Sequence, residues 1–309
     1  MINVLFAAQP DTWGSYETPL KQAIANAGVE ANVALDIPPA EVDYIVYAPN
    51  SPVQDFAPYT RAKAVLNLWA GVEKIVGNPT LKIPLTRMVD PGLSQGMCEW
   101  VTGHTLRHHL GMDAHINCAP GVWKNVAPPL SWDRKVTVLG LGELGTACAQ
   151  MLALVGFDVT GWSRSPKDID GIRCLSGTAG LGKARAGAEI VVLLLPDTPA
   201  TENTLNADTL GLLAKGACII NPGRGPLIDD DALLAALDAG QVGHATLDVF
   251  RVEPLPEAHP YWHHPRVTVT PHVAAETRAK YSALTIAENI RRGEACAPFL
   301  HLVDRSAGY

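Results

Sequence analysis

The residues best suited to chemistry lie in one glycine-rich turn and three polar loops. Gly140-Leu-Gly142-Glu143-Leu144-Gly145 directly follows the apolar run Lys135–Leu139 and leads into the helix-like stretch Gly145–Val155. In a strand–turn–helix context the first glycine permits the tight turn, and the second lets backbone approach a pyrophosphate. The third lets the helix pack closely on the strand, and the first-turn N–H groups face the phosphates. The spacing predicts a dinucleotide site. A second strand ends Gly161-Trp162-Ser163-Arg164-Ser165, with Lys167 close behind and no Asp or Glu at its tip. A carboxylate there would bond a ribose 2′-hydroxyl, whereas Arg164, helped by the Ser163 and Ser165 hydroxyls and Lys167, suits a 2′-phosphate. NADP(H) is the expected cofactor, with NAD(H) less favoured.

The three loops are Asn221-Pro222-Gly-Arg224-Gly-Pro-Leu-Ile-Asp229, Leu247-Asp248-Val-Phe250-Arg-Val-Glu253-Pro254-Leu-Pro256, and Pro265-Arg-Val-Thr-Val-Thr-Pro271-His272-Val-Ala-Ala275, each after a short apolar run. At the carboxyl ends of parallel strands, such loops converge on the crevice where open α/β sheets bind ligands. The elements needed to hold them are legible. Strand-length apolar runs occur at Asn3–Ala8, Tyr44–Ala48, Ala64–Trp69, Val136–Leu139, Asp158–Trp162, Ile190–Leu195, Ala217–Asn221, His244–Asp248 and Val267–Thr270. Helix-like stretches at Pro19–Ala27, Ser94–Leu110 (with Ser94 as cap) and Glu276–Arg292 fall among them. The alternation reads as βαβ units and parallel sheet, and the uniform apolarity of the runs as strands covered on both faces. Residues 112–133, rich in Pro, Asn and Trp, read as an excursion.

Together the GxGxxG, the Asn-Pro-Gly-Arg-Gly, the Leu-Asp-Val-Phe…Glu-Pro-Leu-Pro and the Thr-Pro-His-Val-Ala-Ala segments resemble those of the D-isomer-specific 2-hydroxyacid dehydrogenases. The likeness runs from Leu66-Asn-Leu-Trp-Ala-Gly-Val72 onward and includes the ending Val303-Asp-Arg-Ser-Ala-Gly-Tyr309, which is similar to the bacterial glyoxylate/hydroxypyruvate reductases within that family. Pro222-Gly223 departs from the small residues relatives often carry before the Arg, which alters the expected loop shape. The resemblance implies an α/β fold of two doubly wound parallel-sheet domains. A Rossmann dinucleotide-binding domain would span 97–276. A flavodoxin-like discontinuous substrate domain would comprise 1–96 and the returning helix and tail, 277–309. The active site is expected in the cleft between them.

It also implies reduction of small 2-keto acids such as glyoxylate and hydroxypyruvate to 2-hydroxy acids. A 2-keto acid needs a cation at its carboxylate and carbonyl, for which Arg224 offers a planar fork. His272 is the expected acid/base and Glu253 its carboxylate partner. Backbone N–H groups of Trp69, Ala70, Gly71 and Val72, at the start of a short helix, are expected to hold the substrate carboxylate. By resemblance alone, Asp248 contacts the nicotinamide carboxamide, Pro196, Thr201 and Pro222 line the cofactor cleft, and the 112–133 loop joins a homodimer.

Several classes are disfavoured. A net charge of −7 argues against nucleic acid or an anionic membrane as main partner, and the longest apolar stretch, Ile190–Leu195, is too short to span a bilayer. Six cysteines at 98, 118, 148, 174, 218 and 296, without a CxxC pair, suit a reduced cytoplasmic protein. His104 and His108 are spaced as metal ligands on a helix but lack an HExxH glutamate, and read as a solvated or interface face; no metal is expected. His259, His263 and His264 form a loop cluster with no assigned role. Trp69 and Met97 suggest a restricted substrate cavity. The alternatives are a reductase of a bulkier acid such as phenylpyruvate, and a nucleotide-sensing binding protein without turnover.

Overall fold

The computed structural model describes residues 1–123 and 125–308. Lys124, inside the 112–133 excursion, and Tyr309, the last residue of the family-like ending, lie outside the described residues. The chain divides into two compact units, one formed by Met1–Leu93 and the segment from Thr277 onward, the other by Ser94–Glu276.

The first unit is built on β1 (Ile2–Ala7), β2 (Ala31–Ala34), β3 (Tyr44–Tyr47), β4 (Ala64–Asn67) and β5 (Leu85–Thr86). All pair in parallel in the order β2-β1-β3-β4-β5, the flavodoxin-like arrangement. Strand periodicity sorts the side chains into two cores. Val4, Phe6, Tyr44, Val46, Ala64 and Leu66 pack against helix α1 (Trp13–Asn26) and the closing helix Ala279–Glu294. Leu5, Ala7, Ile45, Tyr47 and Val65 pack on the other face against Phe56, Val72, Ile75 and Leu81. Every residue of β3 and β4 is therefore buried. Helix α1 begins six residues before Pro19, which sits inside it; a proline there removes one N–H without ending the helix.

Helix α2 (Pro91–His109) starts before the expected Ser94. Its cap is Asp90, whose Oδ1 accepts from the N–H groups of Gly92 and Leu93 at 2.8 and 3.0 Å, with Pro91 as first helical residue. A short α3 (Met112–Ile116) follows, and Ile116, Val122, Trp123, Val126 and Leu130 are exposed.

The second unit carries β6 (Lys135–Leu139), α4 (Glu143–Val155), β7 (Asp158–Ser163), β8 (Arg173–Ser176), α5 (Gly177–Arg185), β9 (Ile190–Leu193), α6 (Ala207–Leu210), β10 (Ala217–Asn221), α7 (Asp230–Asp238), β11 (Val242–Leu247) and β12 (Val267–Val269). Its seven strands are all parallel, in the order β12-β11-β10-β9-β6-β7-β8. The order reverses between β6 and β9, so the loops after these two strands open at the topological switch point of a Rossmann sheet. Apolar side chains fill both faces, around Leu139, Leu193, Ile219 and Leu247 on one and Val136, Val138, Val192 and Ile220 on the other. Met97 belongs to the second of these cores and supports the sheet.

Candidate active site

The glycine turn after β6 shows which glycines the protein itself requires. Gly140 has φ +109°, and a Cβ there would stand 2.3 Å from the Leu194 carbonyl oxygen, across the switch point. A Cβ on Gly145 would lie 1.7 Å from the Gly140 oxygen, so only glycine lets α4 approach the turn. Gly142 differs. A Cβ there meets nothing within 4 Å, yet the position opens α4 as its N-cap and supplies no side-chain cap to the first-turn amides. An open space faces uncapped helical N–H groups, a fit for a pyrophosphate bound by the backbone of Gly142, Glu143, Leu144 and Gly145.

At the end of β7, Arg164, Ser165 and Lys167 are exposed. Ser163 is buried, and its hydroxyl donates to the Ser165 carbonyl at 2.8 Å, so it shapes the tip. Thr201 likewise acts within its loop. Its hydroxyl donates to the Pro196 carbonyl at 2.6 Å and accepts from Thr198 N–H at 3.0 Å, folding the segment after β9 back on itself. Pro222 is buried at the end of β10.

Arg224 is set by the residues around it. Asn221, buried at the last position of β10, donates from Nδ2 to the Arg224 carbonyl at 2.9 Å and accepts from Gly223 N–H at 3.1 Å. A Cβ on Gly223 would press on the Leu193 carbonyl, and one on Gly225 would overlap the Phe250 backbone at 2.0 Å. The Asn-Pro-Gly-Arg-Gly spacing thus wedges the arginine between β9 and the loop after β11.

His272 and Glu253 meet as expected, His272 Nδ1 lying 2.8 Å from Glu253 Oε2. The other Glu253 oxygen accepts from Phe250 N–H at 2.9 Å, fixing the carboxylate's direction. Partial burial pushes the Glu253 carboxyl up. The bonds from His272 and Phe250, with the positive field of Arg224, outweigh it and hold Glu253 below the usual carboxylate range. Arg224, Glu253 and His272 therefore form one electrostatic group. The imidazole is half exposed, so Nε2 is left for a ligand.

Asp248 is built into the loop that carries His272. Its carboxylate is wholly buried and accepts from Thr270 Oγ1 at 2.6 Å, Val273 N–H at 2.9 Å and Ala274 N–H at 2.9 Å. Its own carbonyl accepts from His272 N–H at 2.8 Å. Asp248 thus holds the loop on both sides of His272, whose φ of +55° lies in the left-handed region. Three of its bonds go into that loop, so it positions His272.

The segment Trp69–Val72 follows β4 in the first unit. It leads into a hydrogen-bonded turn at 73–77 and not the expected helix, with Val72 O accepting from Ile75 and Val76 N–H. His108, His244, His259 and His264 have structural partners. His108 Nε2 lies 2.9 Å from Thr246 Oγ1 and His244 Nε2 lies 2.9 Å from Thr268 Oγ1, so α2 turns this face onto β11 and not toward solvent. His259 and His264 accept from N–H groups of their own loops, Tyr261 and Arg266.

Comparison with known proteins agrees with this architecture. The family model "D-isomer specific 2-hydroxyacid dehydrogenase, NAD binding domain" matches residues 105–274. The chain is 39% identical to the glyoxylate/hydroxypyruvate reductase A of Serratia proteamaculans (strain 568), over 94% of each chain. It is similar to a D-isomer specific 2-hydroxyacid dehydrogenase from Xanthobacter autotrophicus Py2, solved with NADPH and MES, at TM-score 0.91 and 40% identity over 100% of this chain and 99% of that one. An NADPH-dependent glyoxylate/hydroxypyruvate reductase from Sinorhizobium meliloti, solved with NADP and sulfate, matches at TM-score 0.88 and 33% identity over 100% of both. A two-unit parallel α/β protein with a dinucleotide turn and an Arg–Glu–His group is an NAD(P)-dependent oxidoreductase by class. This chain belongs to the D-isomer-specific 2-hydroxyacid dehydrogenase family.

Proposed function

We propose that the protein reduces small 2-keto acids, glyoxylate and hydroxypyruvate foremost, to 2-hydroxy acids with NADPH preferred over NADH. The observation that carries the reading is the Arg224–Glu253–His272 group, gathered on loops of the same sheet that bears the glycine turn. A dihydronicotinamide bound at that turn supplies the hydride. Arg224 binds the substrate carboxylate and polarises the carbonyl, whose oxygen gains negative charge as it is reduced. His272 delivers the proton to that oxygen from Nε2, and in the reverse direction removes it. Glu253 fixes the ring through Nδ1. The amides of the Trp69–Val72 segment bind the substrate carboxylate. Arg164, with Ser165 and Lys167, binds the 2′-phosphate. The names of the relatives solved with NADPH or NADP support the cofactor reading. The exposed apolar residues of the 112–133 loop support a homodimer through it. We place the enzyme in the cytoplasm, consistent with six free cysteines and with no described helix long and apolar enough to cross a membrane.

The test is a spectrophotometric assay of NADPH loss with glyoxylate, hydroxypyruvate and phenylpyruvate, repeated with NADH. The two small acids are expected to exceed phenylpyruvate in kcat/KM, and NADPH to exceed NADH. His272→Gln should lower kcat by roughly 10²–10⁴-fold with NADPH affinity kept. Near-normal turnover in that variant would remove His272 from the mechanism, and no turnover with any 2-keto acid would overturn the reading.

A further inference from the structure

The last residue of β4 is the most buried polar side chain beside the proposed carboxylate loop. Asn67 is 0% exposed. Its Nδ2 donates to two carbonyls of the segment that follows, Trp69 O at 2.8 Å and Gly71 O at 3.0 Å. Its Oδ1 is buried without a partner among the described residues. Burying an unsatisfied acceptor is costly, so the side chain stands there for its NH2 group and not for its oxygen.

That NH2 decides which way the loop's peptide groups face. In a trans peptide the carbonyl of one residue and the N–H of the next point in opposite directions. Drawing the Trp69 and Gly71 carbonyls inward turns the N–H groups of Ala70 and Val72 outward. Neighbouring bonds lock the same arrangement: Met88 N–H donates to Trp69 O at 3.0 Å, and Thr277 Oγ1 to Leu68 O at 2.9 Å. Among the described residues, the N–H groups of Ala70, Gly71 and Val72 donate to nothing. Two outward donors two residues apart match the two oxygens of one carboxylate.

We infer that Asn67 is a positioning residue for substrate binding: its amide orients Ala70 and Val72 N–H toward the carboxylate of the 2-keto acid. This rests on the proposed role of the Trp69–Val72 segment. Asn67→Asp, nearly isosteric, sets a carboxylate oxygen against both carbonyls and favours their reversal, which turns the amides away from the substrate. Asn67→Ala strips both donors without adding charge, and carries the test if the Asp variant does not fold.

The assay compares glyoxylate with glycolaldehyde, the same aldehyde bearing a hydroxymethyl group in place of the carboxylate. Wild type is expected to prefer glyoxylate strongly. Both variants should raise the glyoxylate KM by about tenfold or more, equivalent to about 1.4 kcal/mol, with kcat, glycolaldehyde kcat/KM and NADPH affinity retained. A wild-type preference that survives in both variants with KM unmoved would overturn the role of Asn67 while leaving the function standing. A wild type indifferent to the carboxylate would sink the functional reading itself, and the inference with it. Parallel loss of kcat, KM and NADPH binding would mark Asn67 as merely structural and also overturn it.

Discussion

Replacing Asp248 with asparagine tests how the strained His272 loop is held. The wild-type carboxylate serves Thr270 and Val273 through Oδ1 and Ala274 through Oδ2, at 2.6, 2.9 and 2.9 Å. Asparagine keeps the first two bonds and turns an NH2 on the Ala274 N–H. One charge-assisted bond becomes two opposed donors in a site with no solvent access. A bond to a charged group contributes about 1.5–3 kcal/mol, and an unpaired buried donor costs about 1–3 kcal/mol. Strain acts in the same direction, because the left-handed backbone of His272 costs a non-glycine residue roughly 1–2 kcal/mol, which a relaxed loop recovers. Taking about 2–3 kcal/mol as the net bias toward relaxation, the fraction of molecules with His272 in place falls by one to two decades. Asp248→Asn should therefore lower kcat about 10–100-fold. NADPH affinity should hold, since the glycine turn belongs to other strands. Thr270→Val, which removes only the hydroxyl bond, should do less. Steady-state kinetics with glyoxylate, NADPH fluorescence titration and thermal melts separate these effects. A folded Asp248→Asn protein with wild-type kcat would show that the buried carboxylate does not place the histidine.

Gly142→Ala should change the melting temperature little, because a Cβ there meets nothing within 4 Å, yet weaken NADPH binding by about tenfold or more. Gly145→Ala should instead destabilise the protein by about 1–3 kcal/mol or more, and equal melts for the two variants would refute the distinction. Arg164→Ala should raise the NADPH KM by roughly ten- to a hundredfold, the worth of a charge-assisted contact, with NADH kinetics unmoved. Equal effects on both cofactors would argue against a 2′-phosphate contact. Burial, with neighbouring positive charge on Arg107, pushes His108 down to about 3 and His244 down to about 4, while Asp113 opposes weakly. Both are depressed below the unfolded value near 6.5, so the unfolded chain takes up protons first. Stability is complete above about pH 6.5 and should decline by a few kcal/mol in all by about pH 4. Urea titrations across that range check this, and His108→Gln should flatten the slope.

Much of the site was readable because its requirements are local. Gly140 must adopt positive φ, and Gly145 must admit a carbonyl oxygen, and both appear as glycines at fixed spacing. His272 and Glu253 were recognisable in their motifs, and their 2.8 Å contact follows from adjacent loops on neighbouring strands. The part Asp248 plays in holding the His272 loop was not legible, because a carboxylate just past a strand end can face outward or lie beneath a loop, and only tertiary register decides which. The turns that the Thr201 and Ser163 hydroxyls close were hidden for a similar reason. Among the elements, β8 went unread because it is a partly exposed, polar edge strand, and β5 because it has two residues. Helix α1 was started late because Pro19 resembles a first-turn proline.

Asn67 and Asn221 reveal why strand ends carry the unread part of the site. Each is the last residue of an interior parallel strand and each is essentially buried. There the ladder stops, and the next loop's carbonyls need donors that the neighbouring strand no longer supplies. Asparagine answers with one donor group that turns back on its own loop: Asn67 takes the carbonyls of Trp69 and Gly71, Asn221 that of Arg224. A larger amide would overshoot a loop only two to four residues away, and a carboxylate would repel the same oxygens. The two differ in one respect that bears on function. Asn221 also accepts from Gly223 N–H, so both of its ends serve the fold, whereas the Asn67 oxygen has no partner among the described residues. The Asn221 amide is explained by satisfaction of the loop alone. The Asn67 amide satisfies its loop in the same way, and in doing so also sets the direction of the N–H groups that follow.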